Sequence, residues 1–384
     1  MWVNEIFLGI IKDIKFSTID QLLRSPKDSW VMFRGNIMHS GASSSNIASR
    51  PSLQWLAELG EIVASPVISN KVIYVPSMLG TIFAMQTHGE EILWRLDIGS
   101  PLISSPLISN NTLTVATFDS WVKGTQYLGA NYIIAIDALK GKIRWRYQVK
   151  GDIFSSPCAI DNLLFIGSLD KNVYALDIRT GDLKWEYGTA GEVWSSPAVL
   201  NDTILVGSDD GHLYALDREG DLVWKTRLNG MVRSSSPCVS NELVFIGTYN
   251  NVIYALDEDG KIKWEASAGA PMLSSPAVLD DSVFFASSDH KLYCLNTKDG
   301  KRLWEFETGD KLWSSPALTE NTLFIGSLDG HIYSLDPRTG RQMWKFPTMQ
   351  MIDSSPCIAD EMLFIGSRDG ILYAFGSAVP SYIG

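Results

Sequence analysis

Five histidines could act as bases or metal ligands in this chain: His39, His88, His212, His290 and His331. A metal site needs ligands brought to one point, usually at short characteristic spacings, and these five are scattered. Serine recurs so often that a Ser beside a His carries no triad signal. No glycine-rich loop follows a strand and opens a helix, as a phosphate cradle requires. The four cysteines, Cys158, Cys238, Cys294 and Cys357, include no adjacent pair. The residues therefore lean against an enzyme. Those suited to binding are aromatic or charged: Trp121, Tyr127, Phe154, Trp194, Arg233, Trp313 and Asp353.

These residues are positioned by a repeat of about 40 residues. A Ser-Pro pair recurs at Pro66, Pro106, Pro157, Pro197, Pro237, Pro276, Pro316 and Pro356, and a Trp recurs in step from Trp55 to Trp344. A unit that repeats at this length buries its apolar faces only against its neighbours. The seventh copy shows the unit. Trp313–Leu318 reads as a short strand and Thr322–Ser327 as a nearly continuous apolar one. Asp329-Gly330 is a tight turn, and strands follow at His331–Asp336 and Arg341–Phe346. The Asp-Gly pair supplies the positive φ that a hairpin needs. Four antiparallel strands per copy make one propeller blade.

The expected fold is all-β, an eight-bladed β-propeller over residues 30–384. The last copy lacks a Trp strand, and a spare one stands at the front, at about 52–57, so the N-terminal segment is expected to complete the last blade and close the ring. Residues 1–29 form a separate extension. Val3, Phe7, Ile10 and Ile14 recur at helical spacing, which predicts an amphipathic helix lying on its own propeller, a partner protein or a membrane surface.

The run Ala175-Leu176-Asp177 to Thr180-Gly181 and Trp185 resembles the PQQ-like (quinoprotein-type) β-propeller repeat. Trp30 to Asn36, followed by His39-Ser40-Gly41, resembles the usual opening of such chains. That family holds quinone-dependent dehydrogenases, an outer-membrane assembly lipoprotein, and accessory domains that bind no quinone. The resemblance implies the fold. Its dehydrogenases place a vicinal Cys pair over the cofactor and carry a calcium site. No Cys-Cys and no comparable acidic cluster occur here, so no cofactor is expected and a PQQ-dependent dehydrogenase is the least favoured reading.

Differences between copies are the functional signal in such a ring. The loops joining strand four to strand one, and strand two to strand three, share one face, here called the top. In blade two the second of these is longer by about eleven residues and carries Trp121 and Tyr127. It is read either as a functional loop or as a neutral insertion. The residue three before each repeat Pro is expected at the top mouth: Val63, Ile103, Phe154, Trp194, Ser234, Leu273, Trp313 and Asp353. They form either an apolar bowl or a plug for the wide hole. Blade five carries one extra residue here, which adds Arg233. Arg233 and Asp353 either bind a polar ligand group or pair through solvent.

The net charge is −11, and Lys and Arg are not clustered. A phosphate-backbone partner needs a basic stripe, so nucleic acid is not expected. Three cysteines sit at one equivalent position on non-adjacent blades, beyond the roughly 7 Å that a disulfide spans, so free thiols and a cytoplasmic location are expected. The N-terminus lacks the pattern of a secretory signal, and no apolar run is long enough to span a membrane. The leading functional expectation is a non-catalytic scaffold that presents its top face, and the N-terminal helix, to a protein partner. The alternative is an enzyme or small-molecule binder using the bowl.

Overall fold

The computed structural model describes residues 27–119 and 131–377. The predicted helix falls almost wholly in residues 1–26, outside the described residues, as do Trp121 and Tyr127. Among the described residues every named element is a strand, and the strands form eight four-stranded antiparallel sheets. Seven blades are continuous in sequence. The eighth combines three C-terminal strands with Ser52–Glu58, which pairs with Ile371–Gly376. The ring is thus closed by the N-terminal strand, as the unmatched Trp strand predicted.

The repeat residues hold blade to blade. From Trp94 to Trp304, each repeat Trp covers the glycine in the next blade's turn between strands three and four and donates its indole N–H to a carbonyl there. Trp185 donates to Arg218 O at 2.7 Å, and a Cβ on Gly220 would stand 2.6 Å from its ring. Gly220 has φ +91°, so two independent constraints select glycine at this turn. Trp145, Trp264 and Trp304 make the equivalent bond at 3.0, 2.8 and 3.1 Å. The top turns are braced by a carboxylate and a tyrosine. Tyr174 donates to Asp170 at 2.7 Å and Tyr373 to Asp369 at 2.8 Å.

The serine before each repeat Pro joins a closed ring. Its backbone N–H donates to the hydroxyl of the same serine in the next blade, from Ser65 to Ser105, Ser156, Ser196, Ser236, Ser275, Ser315 and Ser355, at 2.9–3.1 Å. Ser355 returns to Ser65 at 2.9 Å. These buried amides lie on first strands too close to the axis for ladder pairing on that side, and a buried amide must find a partner. The hydroxyls supply it.

The centre of the ring is filled by chain that the sequence reading treated only as an opening motif. Residues 27–45 travel once around the axis, beneath the top mouth. Trp30 and Ile68 of blade one exchange both backbone bonds. The carbonyls of Val31, Ile37, Met38, Ser40 and Gly41 then accept amides from Ile108, Val199, Val239, Val278 and Leu318. These five belong to blades two, four, five, six and seven. Ser45 Oγ accepts Glu361 N–H of blade eight at 2.8 Å. The hole is therefore plugged by this segment, and the mouth residues do not serve as the plug.

Candidate functional site

Above the segment lies a bowl of about 320 Å³ on the axis. All eight residues expected at the mouth line it: Val63, Ile103, Phe154, Trp194, Ser234, Leu273, Trp313 and Asp353. The alternation of a strand explains why. Except in blade five, the residue before each of these turns outward between blades. Val193, Met272 and Ile352 are fully buried there, where a Cβ on Gly167, Gly247 or Gly326 would collide with them. The next residue must then face the axis. In blade five the extra residue is absorbed by Ser234, whose φ is 63°. This kink brings Arg233 to the bowl as well.

The walls are aromatic on one side. Phe154 and Trp194 lie 5.2 Å apart between ring centroids, and the Arg233 guanidinium sits 5.1 Å from Trp194 and 5.7 Å from Tyr249. Such placement over ring faces is attractive. Trp313 is 37% exposed, unusually open for a tryptophan. Phe33, from the axial segment, completes the lining and packs edge-on against the buried His39 at 5.5 Å.

Arg233 and Asp353 do not pair with each other through solvent. Arg233 donates Nε and Nη2 to Asp209 Oδ2, and this contact holds its pKa above the usual guanidinium value. Asp353 accepts Nε and Nη2 of Arg368, which also reaches Glu61 at 3.3 Å. Arg233 belongs to blade five and Asp353 to blade eight, three blades apart around the bowl. Trp194 is itself fixed by donating Nε1 to Glu192 at 2.9 Å.

Sequence reasoning missed Phe33, Tyr249, Asp209 and Arg368. The last three occupy the first position of the turn between strands two and three. Reading that position across the copies gives Met78, Phe118, Leu169, Asp209, Tyr249, Ser288, Leu328 and Arg368, so a second comparison of copies could have found the outliers. Phe33 left no such signal, because the segment carrying it does not repeat. Of the seven residues singled out beforehand, Phe154, Trp194, Arg233, Trp313 and Asp353 come together here. Phe118 and Asp119, at the root of the blade-two insertion, lie against Phe154 and Asp152.

The four thiols are free and buried, and none lines the bowl. Burial pushes Cys158, Cys238 and Cys294 up to about 12, which leaves them unreactive thiols at neutral pH. Among the described residues no group of three or more His, Cys, Asp or Glu could hold a metal ion. No helix among them is long and apolar enough to cross a membrane.

Comparison with known proteins agrees with the architecture. A family model described as "Beta-alanine-activating enzyme, beta-propeller" matches residues 129–323, about half of the chain. One described as "Outer membrane protein assembly factor BamB" matches residues 39–131 and 302–378. The beta-alanine-activating enzyme of Drosophila melanogaster is 29% identical over 89 residues, covering 22% of this chain. The match spans only 8% of that relative's length. The crystal structure of BamB from Moraxella catarrhalis superimposes with a TM-score of 0.72 at 19% identity, covering 87% of this chain and 99% of that one. Quinohemoprotein alcohol dehydrogenase from Comamonas testosteroni gives a TM-score of 0.76 at 14% identity, covering 98% and 85%. At such identities the likeness is one of fold. With one model over the middle half of the repeats and the other on both flanks, the chain belongs to the PQQ-like β-propeller family.

Proposed function

We propose that this protein is a non-catalytic binding scaffold whose axial bowl receives an apolar side chain from a protein partner. The observation that carries this reading is the bowl itself. Its hole is already closed from below by residues 27–45, so its aromatic walls are not needed as filling and one of them, Trp313, stands open to solvent. Aromatic and Arg side chains in a concave, preorganised setting are the usual anchors of protein interfaces. Loops of a rigid scaffold carry such sites, and here those loops are braced by the Asp–Tyr contacts.

A quinone, which the family's dehydrogenases carry, does not fit these residues. The thiols lie away from the bowl, and the mouth carboxylates Asp209 and Asp353 are both engaged by arginines. A small-molecule ligand is the second reading, favoured by a volume at the lower end of ligand pockets. The test is selection of a random peptide library on the full chain, with counter-selection on Trp194→Ala/Trp313→Ala. Peptides that bind the chain and are lost on the variant support the bowl. Peptides that bind both equally move the working surface elsewhere.

A further inference from the structure

Six charged groups around the bowl are arranged as two matching clusters; Asp152 and Lys311, at the register of Glu61 and Glu192 in blades three and seven, stand outside them and offset each other in charge. One joins Glu192, Asp209 and Arg233. The other joins Asp353, Arg368 and Glu61. Each draws a residue from the loop before blade n, one from the second turn of blade n, and one from the loop before the following blade. For the first cluster n is four and for the second it is eight. Four blades in a ring of eight is half a turn, so the clusters face each other across the aromatic floor.

Each cluster holds one arginine and two carboxylates, a net charge of −1. In the first, Arg233 spends Nε and Nη2 on Asp209, and Glu192 adds its field to the same guanidinium. In the second, Arg368 is shared between Asp353 and Glu61. Both arginines are already neutralised, so neither offers an unspent positive charge to an acidic ligand. The surplus of each cluster is negative. Low-dielectric walls around a cleft focus such a field at its mouth.

Resting on the reading of the bowl as a partner site, we propose that its occupant is a basic peptide loop: a bulky apolar residue seated in the bowl, flanked on both sides by Lys or Arg that meet the two clusters. The remaining Nη1 of Arg233 faces a neutral acceptor such as the loop's own backbone carbonyl. An acidic loop meets surplus carboxylate on either side and is rejected, which is specificity by repulsion as well as by fit.

The test uses three synthetic peptides with one central Leu-Phe pair and flanks of Lys, of Ser or of Glu, titrated by fluorescence anisotropy against the full chain. The Lys-flanked peptide is expected to bind about tenfold or more tighter than the Glu-flanked one at low salt, with the gap closing as salt rises. In Glu61→Gln/Glu192→Gln the gap should shrink severalfold. Gln preserves the contacts to Arg368 and Trp194, so the fold is retained, and a thermal melt checks this. Equal binding of the three peptides, or a gap unchanged by the double variant, overturns the charge assignment. Trp313→Ala separates the two claims. If it leaves Lys-flanked binding intact, or if no peptide binds, the bowl reading itself fails.

Discussion

Across the seam where the ring closes, the amide of Ser355 donates to the hydroxyl of Ser65 at 2.9 Å. That bond is the same as the seven others in the serine ring, so first and last blades meet as any two neighbours do. Ser65→Ala should leave the Ser355 amide without its partner and cost about 1–3 kcal/mol, read as a lower urea midpoint at unchanged slope. Ser196→Ala, far from the seam, should cost a similar amount. A neutral Ser65→Ala would show that the ring of hydroxyls contributes nothing.

Closure and plugging are separable. A chain starting at Pro51 keeps the strand Ser52–Glu58 but loses the segment that caps the inner strands. It should remain monomeric and melt lower. Removing residues 1–56 also strips the outer strand from blade eight and exposes its edge, a template for aggregation. Light scattering and thermal melts on the two truncations distinguish these outcomes. A 1–56 deletion that stays monomeric with an unchanged melt contradicts the clasp.

Gly41 is fixed by its neighbour Arg34. Its φ is +65°, and a Cβ there would stand 1.8 Å from Arg34 Nη2, which donates to Pro276 O at 3.1 Å. Gly41→Ala should therefore cost roughly 2 kcal/mol or more, from backbone strain and displacement of a buried guanidinium. Denaturant unfolding checks the value; a loss below half of it would mean that the axial segment adjusts freely.

His39 gives the plug a pH signature. Burial first, and the charge of Arg34 second, depress its pKa from 6.5 to about 3. Between those values the unfolded chain binds a proton that the folded chain refuses, so stability falls as the pH falls, by up to about 1.4 kcal/mol per pH unit. The contribution is intact above pH 6.5. Urea midpoints at pH 7 and pH 5 should differ in the parent chain and differ less in His39→Leu. An identical difference in both chains would place the pH dependence elsewhere.

The period of Pro and Trp was enough to read eight blades, the antiparallel unit and the closing strand, because those features rest on local turns and on contacts repeated eight times. The mouth was legible for the same reason: a position three before each Pro must share one orientation, so Phe154, Trp194, Trp313 and Asp353 could be named together. Arg233 was visible as the extra residue of blade five, but its bond to Asp209 was not, since it depends on a neighbouring blade's turn. The path of residues 27–45 left no pattern at all. It meets successive blades at irregular steps of one to six residues, and no period in its own sequence reports that. The serine ring was hidden in plain view, because a serine present in every copy reads as mere repetition.

Whether the bowl wall is a working surface or part of the framework is tested most directly by a paired melt. Trp313 is open to solvent in the bowl, whereas Trp185 is wedged between blades with its indole N–H bonded to Arg218 O. Trp313→Ala should change stability by less than about 1 kcal/mol, and Trp185→Ala should cost roughly 3–5 kcal/mol. If Trp313→Ala unfolds as readily as Trp185→Ala, the aromatic wall is holding the ring together, and the bowl is not the site.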